Sequence, residues 1–110
     1  MKSYTIRITR QAREHLRKIK AYIANELLAP DAAENTMAIL KREIKSLSQM
    51  PERIKLTEEE PWHSKGIHRM RVKNYYVYFW IDEDNSKVQI IAVIYVARNQ
   101  AAQLELMKIE

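Results

Sequence analysis

Residues 66–82, GIHRMRVKNYYVYFWID, decide the fold. Extended backbone sends alternate side chains to opposite sides, so Arg69, Arg71 and Lys73 share one side while His68, Met70 and Val72 share the other. Lys73-Asn74 has the composition of a tight turn, since Asn tolerates φ > 0, and an aromatic strand runs back from Tyr75 to Ile81. The segment is a hairpin that carries a cationic stripe on one side and a partly apolar face on the other. Such a hairpin suits a negatively charged partner.

Outward from this hairpin the hydrophobic period changes twice. Downstream, Asp84-Asn85-Ser86 marks a turn, and Val88 to Val96 is nearly continuous in β-branched and aliphatic residues, the pattern of a central strand covered on both faces. Upstream, Tyr4, Ile6 and Ile8 alternate with Thr5, Arg7 and Thr9, a short strand with one buried face. Thr9 is then placed to cap a helix. Ala12, Leu16, Ile19, Ile23 and Leu27 recur at steps of three and four, with Arg10, Arg13, Arg17, Lys18 and Lys20 mostly off that stripe, and the helix ends before Pro30. Asp31-Ala-Ala-Glu34 has capping-box spacing, Met37, Leu40, Ile44 and Leu47 form the buried seam of a second helix, and Pro51 stops it. Two helices joined by a few residues are antiparallel neighbours, so residues 10–50 form a helical hairpin. A polar loop holding Glu58, Glu59 and Glu60 runs to about His63, and strands are predicted over 67–73, 75–82 and 87–97. The expectation is an α+β fold of one domain, 1–110, in the order β-α-α-β-β-β: an N-terminal strand, an antiparallel helical hairpin, then a three-stranded antiparallel sheet. Residues 101–110 read as a short helix or a loose tail.

Composition bounds the function. The 46% hydrophobic and 30% charged residues are globular proportions. Nineteen Lys+Arg against 14 Asp+Glu leave a net charge of +5, which favours nucleic acid, an acidic protein or an anionic surface without choosing among them. The chain has no cysteine, which removes disulfides, thiol nucleophiles and thiolate metal sites and suits a reducing cytoplasm. The start, MKSYTIRITR, has no long apolar run, and no stretch approaches the ~18 apolar residues of a membrane span. The protein reads as soluble and cytoplasmic, with no membrane partner.

The order strand, helix, helix, three strands, taken with the stretches AYIANELLAPDAAENTMAIL, IKSLSQMP, GIHRMRVKNYYVYFWIDED and VQIIAVIYVAR, resembles the RelE/ParE superfamily of toxins from bacterial type II toxin–antitoxin modules. The resemblance covers about the whole chain. It implies a small cytoplasmic toxin held inactive by a cognate antitoxin, with no cofactor. RelE-like members cleave mRNA in the ribosome, using basic residues to hold phosphate and stabilise developing charge while RNA supplies its own 2′-OH. On that alignment Arg69 and Arg71 fall at basic positions of the branch and Arg98 near its late arginine. Two departures stand against it. Tyr76 occupies the place of an arginine, and no tyrosine or histidine-tyrosine pair follows Arg98, where Ala97-Arg98-Asn99-Gln100 leads into Ala and Leu. ParE-like members resemble the chain better in their long helical hairpin, and that branch is associated with poisoning DNA gyrase without a nuclease site. Gyrase is thus slightly favoured over a ribosome-bound mRNA, and a nontoxic basic binding module is the third reading.

Candidate residues follow from these readings. Arg69, Arg71, Lys73 and Arg98 are expected to bind target or phosphate, since Arg offers a bidentate fork to phosphate and the same charges steer association with an acidic protein. If the protein is a ribonuclease, Arg69, Arg71, Arg98 and His68 are the catalytic candidates, with His63 and Glu60 able to act as acid or base; the Glu60-Pro61 pair is similar to a loop carboxylate in another RNase branch of the superfamily. Each has a structural alternative: His63 as a solvated loop residue, His68 as a packed strand residue, His15 as a helix-face residue, and the stripe as an edge protected by charge. Tyr75, Val77, Phe79 and Ile81 read as core, and Met37, Met50 and Met70 as gap-fillers. Three scattered histidines have no ligand spacing, so no metal site is expected.

Overall fold

The computed structural model describes residues 2–98. The chain runs β1 (Thr5–Ile8), α1 (Arg10–Ala21), a π-helical turn (Tyr22–Glu26), α2 (Pro30–Lys45), two short 3-10 turns, then β2 (Ile67–Val72), β3 (Tyr75–Asp82) and β4 (Lys87–Tyr95). The α+β order is the one expected. The sheet, however, has four strands in the order β1-β4-β3-β2, because β1 joins the three antiparallel strands by pairing parallel to β4. A strand that reads as central does need a neighbour on each side, and β1 supplies it.

Register sorts the side chains. Tyr75, Val77, Phe79 and Ile81 of β3 stand with Met70 and Val72 of β2 on the helix side, in one core with Ala12, Leu16, Met37, Leu40, Ile44, Leu47, Val88 and Ile90. The opposite, outer side holds Ile67, Tyr78, Ile91, Ala92 and Ile94, with Trp62, Tyr76 and Trp80 partly buried against them. A register shift between Tyr78 and Phe79 pairs them with Ala92 and Ile90, leaving Ile91 unpaired. Such a bulge lets Ile91 and Ala92 both serve the outer cluster.

The junction of β1 and α1 has no linker. Thr9, fully buried, accepts from the Ala12 amide at 3.2 Å as the helix N-cap, and its hydroxyl donates to the Ile91 carbonyl at 3.3 Å. β1 ends at Ile8, but β4 continues to Tyr95, so β4 would present an open edge there. Side chains of α1 cover it instead. Gln11 donates to the Ile91 carbonyl at 2.9 Å, and the Val93 N–H donates to His15 Nδ1 at 3.1 Å.

Several local expectations are corrected. The second helix has Ala29 at its N-cap with no side-chain cap, because Pro30 takes the first helical position. Asp31 therefore lies in the first turn, where its charge complements the helix dipole, and Glu34 pairs with Lys20 of α1 at 3.0 Å. Leu27 is 56% exposed because the π turn, closed by Leu27 N–H on the Tyr22 carbonyl at 3.1 Å, slips the helical phase. Met50 is exposed too, in a left-handed conformation before Pro51. The positive φ of the β2–β3 turn falls on Lys73, not Asn74, so Lys73 leaves the strand and its stripe. Residues 101–110, read as a helix or tail, lie outside the described residues.

Candidate functional site

The outer face of the sheet is built as three rows. Arg71 lies opposite Tyr76 and then Ile94; Arg69 lies opposite Tyr78 and then Ala92; Ile67 lies opposite Trp80, then Gln89, then Arg7. The hairpin thus aligns the two arginines along β2 beside a column of aromatics along β3. Arg69 is held from three directions. Its guanidinium bonds Glu59 at 3.3 Å, lies 4.3 Å over the Tyr76 ring, and hydrogen-bonds the Tyr78 hydroxyl. Burial pushes the Tyr78 phenol up to about 12, so it stays protonated beside Arg69.

Glu59 is the residue that sequence reasoning passed over in favour of Glu60. Its other carboxylate oxygen takes the Thr57 hydroxyl, and together the Thr57 bond and the Arg69 charge hold its carboxyl below the usual range. Glu60 turns away: both its oxygens serve Ser64, at 2.8 Å to the amide and 2.7 Å to the hydroxyl. Three adjacent glutamates carry no periodicity to tell them apart. The Glu59 position depends on residues 54–57 running beside β2, with Thr57 N–H bonded to the Ile67 carbonyl and Arg69 N–H to the Lys55 carbonyl.

The histidines are occupied by backbone. His68 Nδ1 donates to the Ile54 carbonyl at 2.7 Å while its ring stacks on Phe79 at 4.9 Å, on the helix side and away from Arg69 and Arg71. His63 Nδ1 donates to the Thr57 carbonyl at 2.9 Å. His15, as the acceptor for Val93, carries its neutral proton on Nε2; burial, reinforced by Lys18, lowers its pKa.

Arg71 is exposed and donates through Nε to the Lys73 carbonyl at 3.0 Å. Arg98 sits in a bend beyond β4, where it lines a cleft of about 700 Å³ with His15, Lys18, Tyr22, Tyr75 and Tyr95. The arginines therefore divide: Arg69 and Arg71 on the outer face, Arg98 at the cleft beside α1. Exposed Tyr22, Leu27 and Tyr95 give that cleft an apolar wall, and Lys18 and Arg98 give it a cationic one. Among the described residues no cluster of His, Asp and Glu is arranged to hold a metal ion, and no helix is long and apolar enough to cross a membrane.

Residues 6–100 match the model of the ParE toxin of the type II toxin–antitoxin system parDE. No curated protein matches the chain significantly. Among solved structures it is similar to a chain of the chromosomal ParDE system from P. aeruginosa, with TM-score 0.70 at 18% identity over 86% of this chain and 97% of that one. It is also similar to a chain of the toxin–antitoxin complex RelBE2 from Mycobacterium tuberculosis, with TM-score 0.62 at 26% identity over 89% and 97%. A doubly arginine-substituted E. coli toxin RelE in the free state gives TM-score 0.62 at 13% identity over 92% of each chain.

Proposed function

The chain belongs to the ParE toxin family of type II toxin–antitoxin systems, and from that membership we propose that it is a cytoplasmic toxin that arrests growth by acting on DNA gyrase and is neutralised by a cognate antitoxin. The observation that carries the reading is the family match over residues 6–100. The geometry favours it over RNA cleavage. His68 stacks on Phe79 on the helix side of the sheet, away from Arg69 and Arg71, so no imidazole stands beside the outer-face arginines of β2 through that residue. An antitoxin partner is supported by the similarity to chains of ParDE and RelBE2 systems. The cleft beside α1 suits it, because exposed Tyr22, Leu27 and Tyr95 beside Lys18 and Arg98 match an amphipathic acidic segment.

A second reading, mRNA cleavage, has one observation in its favour: Glu59 and Arg69 set a carboxylate and a guanidinium 3.3 Å apart on the outer face. Inducing the chain without antitoxin and pulse-labelling DNA and protein synthesis over the first minutes separates the two. DNA synthesis failing first, with inhibition of supercoiling by purified gyrase, is the expected result. Translation failing first transfers the proposal to RNA, and arrest of neither leaves a nontoxic binding module.

A further inference from the structure

The side of α2 turned away from the sheet carries a pattern that neither the core nor the cleft uses. Ala33, Met37, Leu40 and Ile44 are buried on one side of the helix. On the other, Asp31, Asn35, Ala38 and Arg42 recur at steps of four, three and four, and all are exposed. They form one helical stripe about 16 Å long at a rise of 1.5 Å per residue. Opposite charges stand at its two ends and short side chains fill its middle. Among the described residues no hydrogen bond or ion pair engages the side chains of Asp31, Asn35 or Arg42, whereas Glu34, on the flank facing α1, pairs with Lys20 at 3.0 Å. The internal seam of the helical hairpin is thus matched and its outward stripe is not.

The stripe is complementary to itself. In an isologous pair each patch meets its own copy. With α2 laid antiparallel on the α2 of a second copy, about a two-fold axis level with the Thr36–Met37 bond, Asp31 faces Arg42 of the second copy and Asn35 faces its Ala38, and symmetry repeats both contacts. A parallel pairing sets Asp31 on Asp31 and Arg42 on Arg42, and a slip of one turn sets Asp31 on Ala38, so the charges select one orientation and one register. Asn35 and Ala38 are short enough for the two axes to approach to about 8 Å, as in packed helices. Arg10, Arg13 and Arg17 line the exposed side of α1 and repel their counterparts, which confines the contact to α2 and makes the two hairpins cross instead of lying flat on one another.

We propose that the chain self-associates through the Asp31, Asn35, Ala38 and Arg42 stripe of α2, as an antiparallel two-fold dimer of its helical hairpins. No residue lining the cleft beside α1 belongs to α2, so each copy keeps its cleft open and the dimer presents two of them. The association needs no antitoxin, gyrase or RNA, and it stands or fails separately from the target proposed above.

The test is sedimentation velocity of the purified chain, residues 1–110, over a concentration series. A stripe of this length buries less than the roughly 1,200 Å² of a standard interface, so the expected result is a reversible monomer–dimer equilibrium with a dissociation constant on the order of 10–100 μM. Asp31→Arg alone, or Arg42→Asp alone, sets like charges against each other at both ends of the stripe and should weaken association roughly tenfold, since symmetry removes two exposed ion pairs at once. The two single changes move the net charge in opposite directions, so a shared loss does not come from overall repulsion between copies. The double variant Asp31→Arg with Arg42→Asp exchanges the ends and should restore association to within about threefold of the parent. Ala38→Arg, at an exposed position where arginine is a good helix former, holds the axes apart and should leave only monomer. Far-UV circular dichroism matching that of the parent establishes that each variant is folded. A parent that stays monomeric up to about 1 mM, single changes without effect, or a double variant as weak as the singles overturns the proposal.

Discussion

Thr9→Val tests whether one hydroxyl ties the helical hairpin to the sheet. Valine keeps the branched shape, so the change removes the oxygen and little volume. The Ala12 amide, fully buried, loses its acceptor, and a buried donor left without a partner costs about 1–3 kcal/mol, the upper part of the range known for N-cap loss. The Ile91 carbonyl is not orphaned, because Gln11 still donates to it at 2.9 Å. Burying a methyl in place of a hydroxyl returns a few tenths of a kcal/mol, leaving a net loss of about 2 kcal/mol. With an unfolding entropy near 230 cal/mol/K for 110 residues, the melting temperature is expected to fall by about 9 °C. Thermal melts by circular dichroism read the global effect, and native-state hydrogen exchange at Ala12 reads the local one. Thr9→Ser is the control: it sacrifices about 1 kcal/mol of methyl burial but retains protection of the Ala12 amide. A valine variant that melts within about 2 °C of the parent, with Ala12 still protected, would refute the assignment of Thr9 as the strut between β1, α1 and β4.

Further outcomes follow from the same packing. His15 has a depressed pKa in the folded chain against an ordinary value of 6.5, so the unfolded chain binds the extra proton first; its contribution to stability is present above 6.5 and is lost as pH falls through the folded value. His15→Gln, whose amide oxygen can still accept from Val93, should flatten that part of the pH–stability curve, read by denaturant titrations at successive pH values. Leu40→Ala, at a fully buried position between α2 and the sheet, should cost about 2–5 kcal/mol and shift the urea midpoint accordingly. Replacing Arg69, Arg71 and Arg98 together by alanine should abolish growth arrest on induction without antitoxin; retained arrest would move the active surface to the helical hairpin.

The cleft beside α1 belongs with the proposed antitoxin, because its exposed Tyr22, Leu27 and Tyr95 are apolar groups that a folded segment can cover.

Period and punctuation alone determined the elements. Alternation from Arg69 to Ile81 assigned the β2–β3 hairpin and both its faces, the three- and four-residue steps from Ala12 to Ile23 assigned α1, and Thr9 was legible as its cap. These are local signals, since each depends only on how backbone geometry spaces neighbouring side chains. Only the tertiary structure decided that β1 pairs parallel to β4, that His15 and Gln11 replace β1 along the end of β4, and that Glu59 rather than Glu60 meets Arg69. It also decided that Arg98 lies at the cleft while Arg69 and Arg71 lie on the outer face. Contacts between residues as far apart in sequence as His15 and Val93 have no repeat along the chain; they arise when the core closes and each buried polar group must find a partner in three dimensions.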